Sequence, residues 1–536
     1  MPVHRTPYHG DGQMKNKEKT TWLQTAGILL FAAACTMALY SLYLCFGSDI
    51  WYDELFTEGF ISQPVGRMIS LAVKDVHPPL YYLLVKIAVD FCRFFVPSAN
   101  AVIISKVVSV LPYLGLLGYS LVFLRRRYGW LCAGLFSFCI FAMPQMANYT
   151  TEVRMYGFAL FFITAAFFHA GAILENGGKR NWIALTVFGI CAAYTHYFAA
   201  VSAAVLYVGL AVFLYVRKKE TRTKSLLTWL LCVGISVLTY LPWLPDAVGQ
   251  VFRVRENYWI LPLTLSCFGG CVKFVLKPST GYQWPDYVLA VLLFVLLAGL
   301  LAAAFFKRKE DEKRAGEDVY AFYGLCILAG TALFGIAVSF LMRPVFIYRY
   351  MLPSMGCFWF GFVSLLSRQK KKRVLVPALV LFCLVGAADY SAFAKGEFLK
   401  KEQMDRTLEE LSRIGEEDAV IFNFDQVQAV AGYYMDQESW LYGNEPESLI
   451  KEMFPDIHGI QDMEGIRQKL QEGQRVWFIG SGLIREDILK EWAKEGILSV
   501  ETADSCLLER YWFNIYRLEL GGMTGTAERT ISRVKD

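Results

Sequence analysis

Long apolar runs fill most of the first 390 residues, and their lengths set the reading of the chain. A helix needs about 20 apolar residues to cross the hydrocarbon of a bilayer. Runs of this kind fall at 22–46, 107–124, 131–147, 157–174, 182–195, 198–216, 225–243, 287–306, 319–342, 351–367 and 374–389. They predict an α-helical polytopic membrane protein with about eleven transmembrane helices. The stretch 182–216 is too long for one crossing and holds His196 and Tyr197 at its middle, so it divides there into two helices with a tight turn. The first run is too long for a signal-peptide core, and no small-residue cleavage site clearly follows it, so it is expected to stay as an anchor.

Basic clusters separate alternate pairs of runs. They are Arg125 to Arg127, Lys179 and Arg180, Arg217 to Lys224, Lys307 to Arg314, and Arg368 to Arg373. The positive-inside bias assigns all of them to the cytoplasm, together with the N-terminal tail 1–21. Eleven crossings then place the C-terminal region outside. Residues 78–96 would upset this count if they spanned. They carry Lys86, Asp90 and Arg93 on one helical face, which is the pattern of an amphipathic helix in the membrane interface. The loop 58–96 is therefore expected outside, with helices parallel to the bilayer.

After residue 392 the pattern changes. Helix-like pieces at 400–414, 462–472 and 485–496 alternate with strand-like runs at 419–423, 475–479 and 512–518. This alternation predicts a small α/β domain over 393–520. Residues 521–536 are polar and rich in Gly and Thr, and are expected to be disordered. The expected organisation is a tail at 1–21, a membrane domain at 22–392, an outer α/β domain at 393–520 and a disordered end at 521–536.

Composition supports the membrane assignment. The chain has 536 residues, 55% hydrophobic and 19% charged, where a soluble domain carries about a quarter charged residues. The surplus apolar surface needs lipid to face. The net charge of +5 conceals an asymmetry, because residues 391–520 hold 14 Lys and Arg against 26 Asp and Glu, a net −12. Of the 13 cysteines, Cys35, Cys45, Cys139 and Cys383 sit inside apolar runs, as small hydrophobes do. Cys267 and Cys271 fall in a predicted loop. No CxxC pair or HExxH spacing points to a bound metal, and no nucleic-acid partner is expected.

The unusual polar residues gather on the side assigned to the exterior. The first loop opens at Ser48 and Asp49 and reaches WYDE at 51–54, with Asp53 and Glu54 against aromatic neighbours. An apolar wall of that kind tunes carboxylates by desolvation. His77 precedes Pro78 and Pro79, which suit a helix start. Glu152, Arg154 and Tyr156 alternate just before a span, and an arginine at that depth is costly unless it meets an anion. Glu152 is one partner for it; a lipid-linked phosphate, which a guanidinium grips bidentately, is another. His196 with Tyr197, and Arg349 with Tyr350, form two further polar knots at span ends.

At these residues the chain resembles the bacterial family 39 glycosyltransferases, relatives of protein O-mannosyltransferases and of the lipid A aminoarabinose transferase within the GT-C superfamily. The matching pieces are WYDE at 51–54, HPPLYYLLVK at 77–86, TEVRMYGF at 151–158, THYF at 195–198 and YRYMLP at 348–353. They cover about the first 390 residues in order. The resemblance implies an inverting enzyme. A sugar on a polyprenyl phosphate passes to an extracytoplasmic acceptor, which is a protein, a cell-wall polymer or a glycolipid. Asp53, with Glu54 beside it, is implied as the base. His77, Arg154, Tyr156, Arg349 and Tyr350 are implied around the donor phosphate, with Glu152, His196 and Tyr197 in support. Aminoarabinose transferases carry Lys-Pro-Pro where this chain has His77-Pro78-Pro79, which argues against that sugar. Some GT-C enzymes use a divalent metal at the first-loop acids, and one Asp-Glu pair is too few ligands to assign one.

Two other classes compete with the enzyme. A transporter or flippase for lipid-linked glycans places binding groups at mid-membrane, often on broken helices within repeats. Here the spans hold few charges, His169 being the main one, and no repeat is evident. A non-catalytic scaffold would make Asp53 and the outer arginines dispensable.

Overall fold

The computed structural model describes residues 10–47, 50–216, 219–256, 260–307 and 312–521. Ser48, Asp49, most of the predicted disordered end, residues 1–9 and parts of the basic clusters at 217–224 and 307–314 lie outside the described residues. The chain divides into two units. One comprises Met1–Phe46 and Pro64–Lys395, the other Gly47–Gln63 and Gly396–Asp536.

The first unit is helical. In chain order its helices are α1 (Gly10–Leu44), α3 (Val65–Lys74), α4 (Leu80–Phe95), α5 (Ala101–Tyr119), α6 (Arg125–Ala142), α7 (Tyr156–Asn176), α8 (Lys179–Thr195), α9 (Tyr197–Tyr215), α10 (Lys219–Tyr240), α11 (Leu244–Glu256), α12 (Cys267–Leu276), α13 (Gln283–Lys307), α14 (Glu312–Leu341) and α15 (Leu352–Ser367). Helix α16 (Lys372–Leu411) begins in this unit and ends in the other, and α2 (Tyr52–Ile61) belongs to the other.

Among the described residues, nine helical stretches are long and apolar enough to cross a membrane. All eleven predicted runs are helical over most of their length; two differences separate the counts. The run 107–124 and most of 131–147 fall in one helical stretch, Ala101–Ala142. Its axis is broken at Gly129, whose φ of 83° and ψ of 174° suit a residue without Cβ. Helix α8 has 17 residues, about 25 Å at the usual rise, and is short against a hydrocarbon core of about 30 Å. The chain is a multi-pass membrane protein.

Packing in this unit depends on small residues. Without water between lipid-facing helices, association relies on close van der Waals contact. Helices α7 and α15 are the most enclosed, whereas α10 and α13 are almost bare on their outer faces. A side chain at Gly356 of α15 would strike the Thr164 hydroxyl of α7, and one at Gly361 the Ala321 carbonyl of α14. The tightest crossing joins α1 and α6, where a Cβ on Gly134 would lie 1.9 Å from the Gly27 carbonyl oxygen. Backbone cannot yield as a side chain does. Gly134→Val is expected to cost about 1–3 kcal/mol or more, read as a lower unfolding temperature and lower yield of detergent-solubilised protein.

Three local findings refine the sequence reading. Helix α4 is amphipathic, but of the three predicted polar residues only Lys86 is buried, paired with Asp90 at 3.1 Å, while Asp90 and Arg93 are exposed beside Ile87, Phe91, Phe94 and Phe95. His169 is half-buried and structurally bonded, to the Tyr119 hydroxyl at 2.9 Å and the Asn181 side chain at 3.0 Å. Cys267 and Cys271 lie on helix α12 and are free thiols.

The second unit contains a six-stranded sheet in the order β3-β2-β1-β4-β6-β5. Its strands are β1 (Ala419–Phe422), β2 (Ser439–Tyr442), β3 (Ile457–Ile460), β4 (Val476–Ser481), β5 (Ile497–Leu508) and β6 (Tyr511–Leu520). The first four run parallel, with Val420 opposite Trp477 in the central pair, and β6 returns antiparallel to β4. Helices α17 (Asp425–Tyr434), α18 (Ser448–Met453), α19 (Met463–Gln471) and α20 (Ile484–Lys494) connect the strands. Ala419, Ile421, Phe478 and Trp492 are fully buried in its core. Residues Gly47–Gln63 pack into this unit, with Gly59 of α2 against Met453 of α18.

Candidate active site

In the helical unit, three helices begin at one place. Helix α7 starts at Tyr156, α9 at Tyr197 and α15 at Leu352. Each N-terminus is the positive end of a helix dipole, and its first N–H groups have no partner within the helix. Arg154 lies two residues before α7, and Arg349 in the single 3-10 turn before α15. Their guanidinium charges add to the same field. A preference for an anion follows from this arrangement alone.

Aromatic and imidazole rings bind these starts together. The Arg349 guanidinium sits 5.7 Å over the Tyr156 ring. The His196 ring lies 5.5 Å from Tyr156, 5.1 Å from Tyr350 and 5.7 Å from His77. Tyr350 stacks on Phe198 at 4.8 Å. Arg154, Tyr156, His77, His196 and Tyr350 are buried, and Arg349, Glu152 and Tyr197 are half-buried. The Arg154 backbone N–H donates to the Glu152 carbonyl at 2.7 Å. Tyr197 bonds to Gln250, which in turn donates to the Ala72 carbonyl of α3 at 2.9 Å.

A residue the sequence reading passed over completes the group. Asp75 ends α3, and its carboxylate is 3.2 Å from Nδ1 of His77 and accepts from the Tyr82 hydroxyl at 3.1 Å. Burial pushes the Asp75 carboxyl up, but His77, its hydrogen bond and the Arg154 guanidinium outweigh burial and hold it below the usual range. An ionised carboxylate only accepts, so Nδ1 of His77 carries the proton. Burial drives the His77 pKa down, Asp75 opposes this, and Arg154 and Arg349 add to the lowering. The neutral ring keeps Nε2 as an acceptor. The signal in the sequence was the Asp-x-His spacing ahead of two prolines.

His196 is neutral for a separate reason as well. Its Nδ1 accepts the Phe198 backbone N–H at 3.1 Å and caps α9. Burial, then His77, Arg154 and Arg349, hold its pKa well below the usual value. Both imidazoles thus take up protons less readily folded than unfolded, where the pKa is about 6.5. Stability is then full above about pH 6.5 and falls as the pH drops toward 5. Unfolding temperatures in detergent at pH 7.5 and 5.5 should show the drop, and the double variant His77→Gln, His196→Asn should flatten it. A slope unchanged in that variant would assign it to other groups.

Part of the cluster also lines a cavity of about 340 Å³. His77, His196, Tyr197 and Tyr350 are in its wall, with Gln250 and Arg343 as further polar groups. The other lining residues are apolar, among them Val76, Phe198, Val201, Phe334 and Met342.

Asp53 and Glu54 belong to the other unit, and their surroundings separate their roles. Glu54 is buried, and its carboxylate accepts the Trp51 backbone N–H at 3.1 Å, capping α2. Asp53 is half-buried on the same first turn. Among the described residues no three His, Cys, Asp or Glu side chains converge where a metal ion could sit. Asp53 and Glu54 alone do not make such a set.

The sequence matches no protein-family model and no curated protein. Solved structures do match. The crystal structure of ArnT from Cupriavidus metallidurans bound to undecaprenyl phosphate superposes with a TM-score of 0.56 and 13% identity, over 95% of this chain and 99% of that one. The apo structure of the same protein gives 0.54 and 12%, over 94% and 99%. The fold is the GT-C fold. The expected class, a GT-C membrane unit with a small C-terminal α/β unit, is the one observed. Within the GT-C helical unit the structure gathers His77, Arg154, Tyr156, His196, Arg349 and Tyr350 into one cluster, with Tyr197 on the adjoining cavity wall.

Proposed function

We propose that this chain is an inverting, family 39-like glycosyltransferase that takes its sugar from a polyprenyl-phosphate donor. The observation that carries the reading is a basic cluster three of whose members, His77, His196 and Tyr350, also line a largely apolar cavity. A ligand suited to both is amphiphilic, with a phosphate at the head of a hydrocarbon chain. The GT-C fold, and a protein of that fold bound to undecaprenyl phosphate, support the same donor class.

In this mechanism Asp53 accepts the proton of the acceptor hydroxyl. The acceptor oxygen attacks the anomeric carbon from the face opposite the phosphate. The bond from that carbon to the phosphate oxygen breaks, and the electron pair leaves with the lipid phosphate. Negative charge grows on the phosphate, so preorganised positive groups matter more than a general acid. Arg154, Arg349 and the starts of α7 and α15 supply them. His77, neutral at pH 7, contributes a hydrogen-bond acceptor at Nε2 and not a cation. The acceptor is a hydroxyl of an extracytoplasmic protein, wall polymer or glycolipid.

The basic clusters orient the chain with its N-terminus in the cytoplasm and the α/β unit outside. An impermeant thiol reagent should reach a cysteine at Asp436 and miss one at Arg126. The function itself is tested by mass spectrometry of surface glycans from cells with and without the gene. Loss of a defined glycosyl residue supports the reading, and identical glycan profiles sink it.

A further inference from the structure

The segment that carries Asp53 is held by side chains from the far end of the chain. The Ile50 backbone N–H donates to the Tyr434 hydroxyl at 3.2 Å. The Arg510 guanidinium lies 3.6 Å from the centroid of the Trp51 ring. The Tyr52 hydroxyl donates to the Glu447 carboxylate at 2.7 Å. These grips fall on three successive residues immediately before Asp53. Trp51 and Tyr52 are both buried, whereas Arg510 and Glu447 are exposed, so each contact joins a buried ring to a charged group at the rim.

The Arg510 contact is built with care on its own side. Arg510 occupies the turn between β5 and β6, next to Glu509, which adopts a left-handed φ of 54°. A non-glycine residue takes that conformation only where surroundings hold it. Here the Glu509 carboxylate pairs with Lys400 at 2.9 Å. The turn is thereby fixed, and the guanidinium is presented to Trp51 from an anchored base.

We propose that the C-terminal unit is the mount for the base, and that Arg510 is the residue that positions Asp53 through Trp51. The proposal rests on the reading of Asp53 as the base. A base must meet its proton within hydrogen-bond reach, and misplacement by about 1 Å can cost about 10²-fold in rate. Arg510 touches no reacting atom and is a positioning residue. Tyr434 and Glu447 share that role from either side.

The test uses the full-length protein. Arg510→Ala is expected to lower the surface glycan about 10²-fold, while purified protein still binds undecaprenyl phosphate as the parent does. Hydrogen exchange of amides 50–61 should quicken several-fold, with exchange elsewhere unchanged. Arg510→Lys keeps a cation over the ring and should restore much of both readouts, which a general loss of folding would not allow. If Arg510→Ala does not fold, Trp51→Leu removes the same contact from the loop side and should behave as described. Unchanged exchange at 50–61, or faster exchange with full glycan output, overturns the proposal and leaves Asp53 standing as the base. Full transfer by Asp53→Asn overturns the base assignment and the proposal together.

Discussion

Asp53→Asn is expected to lower glycosyl transfer by about 10²–10⁴-fold, with membrane insertion and binding of undecaprenyl phosphate kept. Asparagine preserves shape and removes basicity. The neighbouring carboxylate is poorly placed to replace it. Glu54 is buried and its carboxylate caps the Trp51 N–H at 3.1 Å, so turning it outward uncaps α2. The Glu54 bond runs from the N3 side chain back to the N-cap backbone, and without it the first turn of α2 no longer presents residue 53 as before. Glu54→Gln, by contrast, keeps a cap acceptor and should retain much more transfer than Asp53→Asn. Glycan mass spectrometry on the two variants side by side decides the assignment. Equal output from Asp53→Asn and the parent would remove the enzyme reading and favour a carrier of lipid-linked sugars.

Replacing either arginine of the helical unit is the second large effect. Arg349→Ala and Arg154→Ala are each expected to lower transfer about 10²–10³-fold, as removal of one preorganised donor does at other developing anions. Undecaprenyl phosphate should bind more weakly as well, by about 10-fold or more for each lost charged hydrogen bond. Lysine at either site should recover only part of this, because an ammonium lacks the planar fork and does not stack on Tyr156 as Arg349 does. The arginines differ in one respect. Arg154 acts on both members of the Asp75–His77 pair and helps to keep Asp75 ionised, so Arg154→Ala loosens the pair, whereas Arg349 acts on it only through His77. Binding measured by thermophoresis, with transfer measured in cells, separates the loss of ground-state grip from the loss of rate. Full binding and full transfer in both variants would place the phosphate elsewhere.

Much of the fold was legible because lipid imposes a simple rule on sequence. Each of the eleven predicted runs is helical over most of its length. The basic residues Arg125 to Arg127 marked a division here; what the runs did not disclose is that helix continues through them as far as Gly129, where the backbone conformation makes the break. Nor did they disclose that α8 is short. In the α/β unit, β1, β4 and β6 were read from their apolar runs. Strands β2 and β3 have four residues each, as β1 does, but Ser439, His458 and Gly459 interrupt their apolar pattern. Strand β5 carries Glu501, Asp504 and two register shifts, which hide its alternation.

The site was legible by residue type and incomplete in arrangement. Arginines at span ends, and histidines beside prolines, stand out because they are costly at membrane depth. Asp75 did not stand out, since an aspartate in a loop is ordinary until its partner is known. The charge state of His77 was likewise beyond the sequence. It depends on Arg154 and Arg349 arriving from distant parts of the chain. The grip of Arg510 on Trp51 joins two places that no local pattern relates.

That Ile50 finds its partner 384 residues later, at Tyr434, sets a timetable for the ribosome. At about 5–20 residues per second, about 20–80 seconds separate the synthesis of the two. Throughout that interval the early acidic segment has no finished surface on which to settle, while the spans behind it are already entering the bilayer. A chain cut short before residue 434 would still insert, yet its first loop would hang unmoored. The contact of Arg510 with Trp51 comes later still, on the turn between the last two strands.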